Sequence, residues 1–215
     1  MLLELQQVSK VFGQRPILKD INVQVLSGQI NLLMGSNGAG KSTLLNIMAG
    51  ISKISFGKIS LYIEEHEKAY LGHATFIYPA LSARENLTFW ANIYGLGLGK
   101  KLNVSINSVL ERMELLPFAE EKAGVFSRGM SQRLNLARIL LLKPKLWLLD
   151  EPSTGLDVHS AKLLRQEVLE AKKHGAGIVW ISHDLQNDAI LADNIWQIEN
   201  TRLSTFAKEA EVYTC

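Results

Sequence analysis

Residues 30–50 read INLLMGSNGAGKSTLLNIMAG. The first five, INLLM, carry the near-continuous hydrophobicity of a strand buried on both faces. A glycine-rich turn follows, and then STLLNIMAG, which reads as a helix closing at Gly50. The turn GSNGAGKST (35–43) satisfies G-x-x-x-x-G-K-[ST] throughout, in the strand–turn–helix context that gives the pattern meaning. Gly35, Gly38 and Gly40 let the chain aim its amides inward without Cβ clashes. Together with Ser36, Asn37, Ala39 and Thr43 they form a cradle of amides at a helix N-terminus, where anions bind. Lys41 is placed to reach outer phosphates, and the Ser42 hydroxyl offers one position to a magnesium ion. The expected ligand is therefore a nucleoside triphosphate with Mg2+.

About 110 residues later, LWLLDE (146–151) supplies matching carboxylates. A buried strand delivers Asp150 and Glu151 to the sheet edge where open α/β folds bind ligands. Asp150 is expected to hold the magnesium, directly or through water. Alternation along the strand predicts that Glu151 points the other way, as a general base for an attacking water. His183 follows a third apolar run, GIVWIS (177–182), beside Asp184; it either supports the fold or reaches a γ-phosphate from that edge.

The rest of the chain is consistent with one domain carrying an inserted lobe. Its 215 residues suffice to bury a core. A net charge of +2 makes no electrostatic case for nucleic acid. The lone cysteine, Cys215, excludes an intrachain disulfide and points to a reducing compartment; it is not the fourth residue from the end that prenylation needs. The start, MLLELQQVSK, has an early Glu4 and no long apolar run, unlike a signal peptide. No stretch approaches the roughly 18 apolar residues of a membrane span. Any membrane role is expected to come through a partner.

Alternation in INVQV (21–25) and in KISLYIE (58–64, with Ile59, Leu61 and Ile63) predicts half-buried strands, hence a β-rich N-terminal portion. SARE (82–85) is a capping box that opens a helix over 83–94. Leu87, Trp90 and Tyr94, widened by Phe89 and Ile93, form its apolar stripe, which either packs in a small lobe or receives another protein. GLGLGKK (95–101) reads as a loop before a helix over 104–115. Ser127 reads as the N-cap of a helix in which Met130, Leu134, Ala137 and Leu141 form the packed stripe, with Gln132, Arg133 and Arg138 polar. Ala161, Leu164, Val168 and Ala171 mark another helix, ended by Lys172, Lys173, His174 and Gly175. NIWQIENTRLS suggests a terminal hairpin. The order implies an α/β fold: a core with a parallel sheet, an N-terminal antiparallel β subdomain and an inserted α-helical subdomain at about 80–142; with the phosphate loop it resembles a P-loop NTPase core.

Together these pieces resemble the nucleotide-binding subunit of ATP-binding cassette (ABC) transporters, over residues 1 to about 200; the domain is expected to span 1–205, with 206–215 left as a tail. The resemblance implies further roles. Phe12 in KVFGQ stacks on adenine. His73 in YLGHATFIYP stands where the family has a glutamine, with Ala74 the alternative. FSRGM (126–130) stands for the signature LSGGQ, so that Ser127 and Gly129 contact a γ-phosphate held by a second copy of the chain, or by a paralogous ATPase subunit. Asp157 closes the loop STGLD (153–157), and His183 is the switch histidine. The cofactors implied are ATP and Mg2+. The partners are that second subunit and integral membrane ABC subunits, at the cytoplasmic face of a bacterial inner membrane. Arg128 and Met130 depart from the signature; the added guanidinium either favours a triphosphate or points to solvent. The variant set YLGH…YPALSARENLTFWANIYG with FSRGM is similar to ATPases of bacterial haem exporters in cytochrome c maturation. A generic exporter ATPase for lipid, drug or polysaccharide, and a soluble non-transport ABC ATPase, are the alternatives.

Overall fold

A computed structural model describes residues 1–72, 76–97, 99–182 and 184–207. His73, Ala74 and His183 lie outside those residues, as does the predicted tail beyond 207. The chain divides into two compact units, 1–70 with 145–151 and 168–215, and 71–144 with 152–167.

The first unit opens with strands β1 (Leu3–Phe12) and β2 (Arg15–Val25), which pair antiparallel. Strand β3 (Ile30–Met34) leads into helix α1 (Lys41–Ala49), which Gly50 closes in the left-handed conformation. Strand β4 (Phe56–Leu61) pairs antiparallel with β1, giving a three-stranded sheet of order β2-β1-β4. The alternation had predicted a strand reaching Ile63. The strand ends at Leu61, opposite Leu3, with one further bond from Tyr62 N–H to Leu2 O at 2.9 Å.

A six-stranded sheet follows the order β5-β6-β7-β3-β8-β9, with β5 (Lys68–Leu71), β6 (Leu146–Asp150), β7 (Gly177–Ile181), β8 (Asn194–Glu199) and β9 (Arg202–Ala207). β6, β7, β3 and β8 run parallel, and β9 returns antiparallel as the predicted hairpin. Every residue of β6 and β7 is buried, as expected of parallel strands covered on both faces. One core in this unit joins Leu5, Val8, Leu18 and Ile21 of the antiparallel sheet to Leu33, Leu148, Val179 and Ile181 and to Leu44, Leu45 and Met48 of α1. Each fully buried Leu or Ile contributes about 1.5–3 kcal/mol, so this packing fixes where α1 starts, and with it the phosphate loop.

The second unit contains α2 (Ala83–Ile93), α3 (Lys100–Arg112) and α4 (Arg128–Leu142), which pack on one another. Helix α5 (Val158–Lys173) begins in this unit and ends in the first. Both halves of the predicted capping box form: Glu85 N–H donates to Ser82 Oγ at 3.1 Å, and Ser82 N–H donates to Glu85 Oε2 at 2.7 Å. Helix α3 starts four residues earlier than its sequence suggests, at Lys100, after Gly99 at φ 84°, and ends before Met113 rather than at 115. The lysines that read as loop are its exposed first turn, while Leu102, Ile106, Val109 and Leu110 are buried. Among the described residues, no helix is long and apolar enough to cross a membrane.

Candidate nucleotide site

The phosphate loop turns between β3 and α1. Gly35 sits at φ 147°, and a Cβ there would lie 2.7 Å from the Ile198 carbonyl oxygen, so β8 forbids any side chain. Ala39 N–H donates to Ser36 O at 3.1 Å, tightening the turn, and Gly40 occupies the N-cap of α1. Lys41 is the first helical residue and is buried; its Nζ donates to Gly35 O at 2.7 Å and Ser36 O at 3.0 Å, which pins the ammonium against the loop. Ser36, Asn37, Gly38 and Ser42 are exposed, and Thr43 is half-buried.

Asp150 ends β6 and is only 3% exposed. Its Oδ1 accepts the Ser42 hydroxyl at 3.1 Å, bringing the two expected magnesium-binding residues together from 108 residues apart. A hydroxyl and a carboxylate are hard oxygen donors, the set that Mg2+ uses alongside substrate phosphates. The other carboxylate oxygen, Oδ2, accepts the Tyr70 hydroxyl at 3.1 Å. Burial first, then the Asp150 charge and hydrogen bond, push the Tyr70 phenol well above its ordinary value, so it remains a donor.

The strand alternation used to aim Glu151 does not apply. Its φ is 52°, so the chain leaves the extended conformation directly after Asp150. The Glu151 N–H still donates to Ile181 O at 3.0 Å. A non-glycine residue held left-handed next to a candidate site is a place where structure is traded for function. Phe12 is 55% exposed at the end of β1, and the Lys10 ammonium lies 4.7 Å from its ring centroid.

In the second unit, Ser127 is the N-cap of α4, accepting from Met130 N–H at 3.2 Å. Asp157 likewise accepts the Ser160 N–H at 2.9 Å and hydroxyl at 2.8 Å. Those bonds, the backbone one first, hold its carboxyl below the ordinary value. Gly129 lies against Asp157: a Cβ on it would approach Oδ2 to 2.9 Å. Arg128 is exposed; its Nη2 donates to Thr154 O at 3.0 Å, with the guanidinium beside Gly155. The start of α4 and the loop 153–157 are thus tied together within one chain.

The stripe on α2 divides. Leu87 and Ala91 are buried, whereas Phe89, Trp90 and Tyr94 join Tyr78 and Phe76 in a partly exposed aromatic cluster. Arg138, which the sequence placed on a polar face, is buried beneath this cluster, 5.0 Å from the Trp90 ring and bonded to Asn135 Oδ1 and Tyr94 Oη. Two residues thus escaped the sequence reading, Tyr70 at the Asp150 carboxylate and Arg138 under the rings. For Tyr70 the available signal was a tyrosine flanked by inward-facing Ala69 and Leu71 on β5.

Residues 18–154 match the family model described as ABC transporter. This chain belongs to the ABC transporter family. Among curated relatives, the cassette is 30% identical to the linearmycin resistance ATP-binding protein LnrL of Bacillus subtilis (strain 168), over 98% of this chain and 70% of that protein. It is 31% identical to the maltose/maltodextrin import ATP-binding protein MalK of Escherichia coli (strain K12), over 98% of this chain and 59% of that one. A solved ATP-binding subunit of an ABC transporter superposes with a TM-score of 0.88 at 27% identity, covering 96% of this chain and 90% of its own. A dimeric bacterial ABC transporter cassette shares the fold at a TM-score of 0.85 and 23% identity, over 98% and 100%. The cassette therefore has the expected fold class, and the ATP hydrolase class expected of it agrees with this membership.

Proposed function

We propose that this cassette is the ATP-hydrolysing subunit of a membrane complex, two copies closing around two ATP molecules. The observation that carries the reading is the Ser42–Asp150 hydrogen bond, which joins a complete phosphate loop to the carboxylate strand of the same unit. Amides of residues 35–43 and the α1 N-terminus cradle the phosphates, Lys41 adds the neutralising charge, and Phe12 stacks on the adenine. Ser42 and Asp150 would hold Mg2+, which when bound supplies positive charge against the phosphate oxygens. Glu151 accepts a proton from the attacking water, and His183 is the residue assigned to the γ-phosphate. His73, or Ala74, stands at the loop that senses the membrane partner. Ser127 and Gly129 approach the nucleotide of the second copy, with Asp157 beside them. Ser127 keeps its cap in that role, because a helix N-terminus serves a cap and an anion alike. The dimeric cassette of the same fold is a precedent for such pairing.

Closure is favoured because each nucleotide touches both copies, and hydrolysis removes one of those contacts. Replacing Glu151 with Gln keeps the side chain's size and removes the base. Sedimentation of Glu151→Gln with MgATP should show a stable dimer that disperses without nucleotide. Rapid turnover by that variant would defeat the role given to Glu151.

For the cargo, the reading is haem handling in cytochrome c biogenesis, with the cassette peripheral at the cytoplasmic face of the inner membrane. The support is the variant set of His73, the aromatic run 89–94 and FSRGM. LnrL and MalK are named for linearmycin resistance and maltose import, and a generic exporter ATPase is the competing reading. Deleting the gene and staining membranes for covalently bound haem separates the two. Loss of c-type cytochromes supports the haem reading, and a normal complement refutes it.

A further inference from the structure

We propose that Tyr70 is a positioning residue that fixes the metal-binding carboxylate of Asp150; the inference rests on the reading of this site as a MgATP site. Asp150 has two carboxylate oxygens, and each already accepts a hydroxyl hydrogen bond. Oδ1 takes Ser42 and Oδ2 takes Tyr70, both at 3.1 Å. All three residues belong to one compact unit. The terminal torsion of an aspartate is broad and roughly two-fold, so one anchored oxygen leaves the group free to swing about it. A second anchor on the opposite oxygen removes that freedom. The lone pair left on Oδ1 then keeps one direction relative to the Ser42 oxygen, where the cation would sit.

The phenol suits this task. Hydroxyl bonds to an ionised carboxylate are among the stronger hydrogen bonds in proteins. Half-burial shields this one from water. Tyr70 does not ligate the metal itself, because its proton is committed to Oδ2. It acts as the outer partner of a ligating carboxylate, a class of residue whose loss costs 10–100-fold in metal affinity. Tyr70 belongs to neither the phosphate-loop pattern nor the carboxylate strand. It reaches the site because β5 lies beside β6 in the sheet.

The test compares wild type with Tyr70→Phe, which removes one oxygen and keeps the ring. Three quantities are measured: the thermal midpoint in EDTA, the affinity for a non-hydrolysable fluorescent ATP analogue in EDTA, and the affinity for Mn2+ in the presence of that analogue, followed by electron paramagnetic resonance. The inference expects Mn2+ to bind about 10-fold or more weakly, with the thermal midpoint and the EDTA affinity near wild type. Mn2+ affinity within about twofold of wild type would overturn it. So would an equal loss of analogue binding in EDTA, or failure of the variant to fold, since the hydroxyl would then serve the loop or the fold rather than the carboxylate. Wild type that binds the analogue under neither condition would instead refute the nucleotide site itself, and this inference with it.

Discussion

Alanine at Gly35 and alanine at Gly38 should have different consequences, although both glycines lie in one loop. Gly35 is held at φ 147°, a region essentially closed to side chains, where strain costs about 1–3 kcal/mol. Its Cβ would also sit 2.7 Å from the Ile198 carbonyl oxygen. That oxygen belongs to the backbone of β8 and cannot rotate away as a flexible side chain would, so overpacking adds about 1–3 kcal/mol. The total is about 2–6 kcal/mol, a large part of the roughly 5–15 kcal/mol that keeps a domain folded. At Gly38, φ is 79° and no atom lies within 4 Å of the added Cβ. Only the left-handed penalty remains, about 1–2 kcal/mol. Urea unfolding followed by far-ultraviolet circular dichroism, at unchanged m-value, gives both numbers. Gly35→Ala should be the less stable, by about 2–3 kcal/mol at the middle of these ranges. Gly38→Ala should stay folded yet lose affinity for MgATP, because the open space its Cβ enters is the cradle. Equal stabilities, or a Gly38→Ala protein with unchanged nucleotide affinity, would refute this geometry of the loop.

Asn86 is fully buried and braces the segment before α2: its Oδ1 accepts from Tyr78 N–H at 2.7 Å, and its Nδ2 donates to Tyr78 O and Ser82 O. Tyr78 O and Ser82 O also accept backbone N–H groups, from Leu81 and Asn86, so Asn86→Ala should cost about 1–3 kcal/mol through the Tyr78 N–H left without its acceptor, and hydrogen exchange at the Tyr78 amide should rise with it. The carboxyl of Asp157 is held below its ordinary 3.8 by the Ser160 bonds, so its cap stabilises above that pH and fades as pH falls through the lowered value. Asp157→Ala should therefore lower the thermal midpoint at neutral pH, with the gap to wild type closing as the pH falls through that lowered value; a gap independent of pH would deny the charged cap.

What the sequence disclosed was governed by local rules. A phosphate loop announces itself because its glycines, lysine and hydroxyl must stand in fixed order. Strands buried on both faces, such as 146–150 and 177–181, must be apolar throughout. The Ser82–Glu85 box and the Ser127 cap depend on residues three apart. What it concealed depended on partners distant in the chain. Tyr70 matters because two strands separated by some 75 residues are neighbours in the sheet. Arg138 is buried because Tyr94, Trp90 and Phe76 cover it, which periodicity on its own helix cannot show. Glu151 departs from the strand pattern at a single left-handed residue. Arg128 is taken up by Thr154 and Gly155, so its departure from the signature makes sense only once loop 153–157 is seen beside α4.

Complementation between two damaged copies tests the central claim most directly. Lys41→Ala spoils the cradle and leaves Ser127 intact; Ser127→Glu spoils the opposing serine and leaves the cradle intact. If ATP is held between copies, each variant alone is inactive. Each mixed pair then contains one site built wholly from sound parts, so an equal mixture should recover about a quarter of wild-type ATPase activity from independent sites. A mixture as inactive as its components would place Ser127 at its own chain's nucleotide, and a fully active Ser127→Glu would place it at none; either would contradict the account.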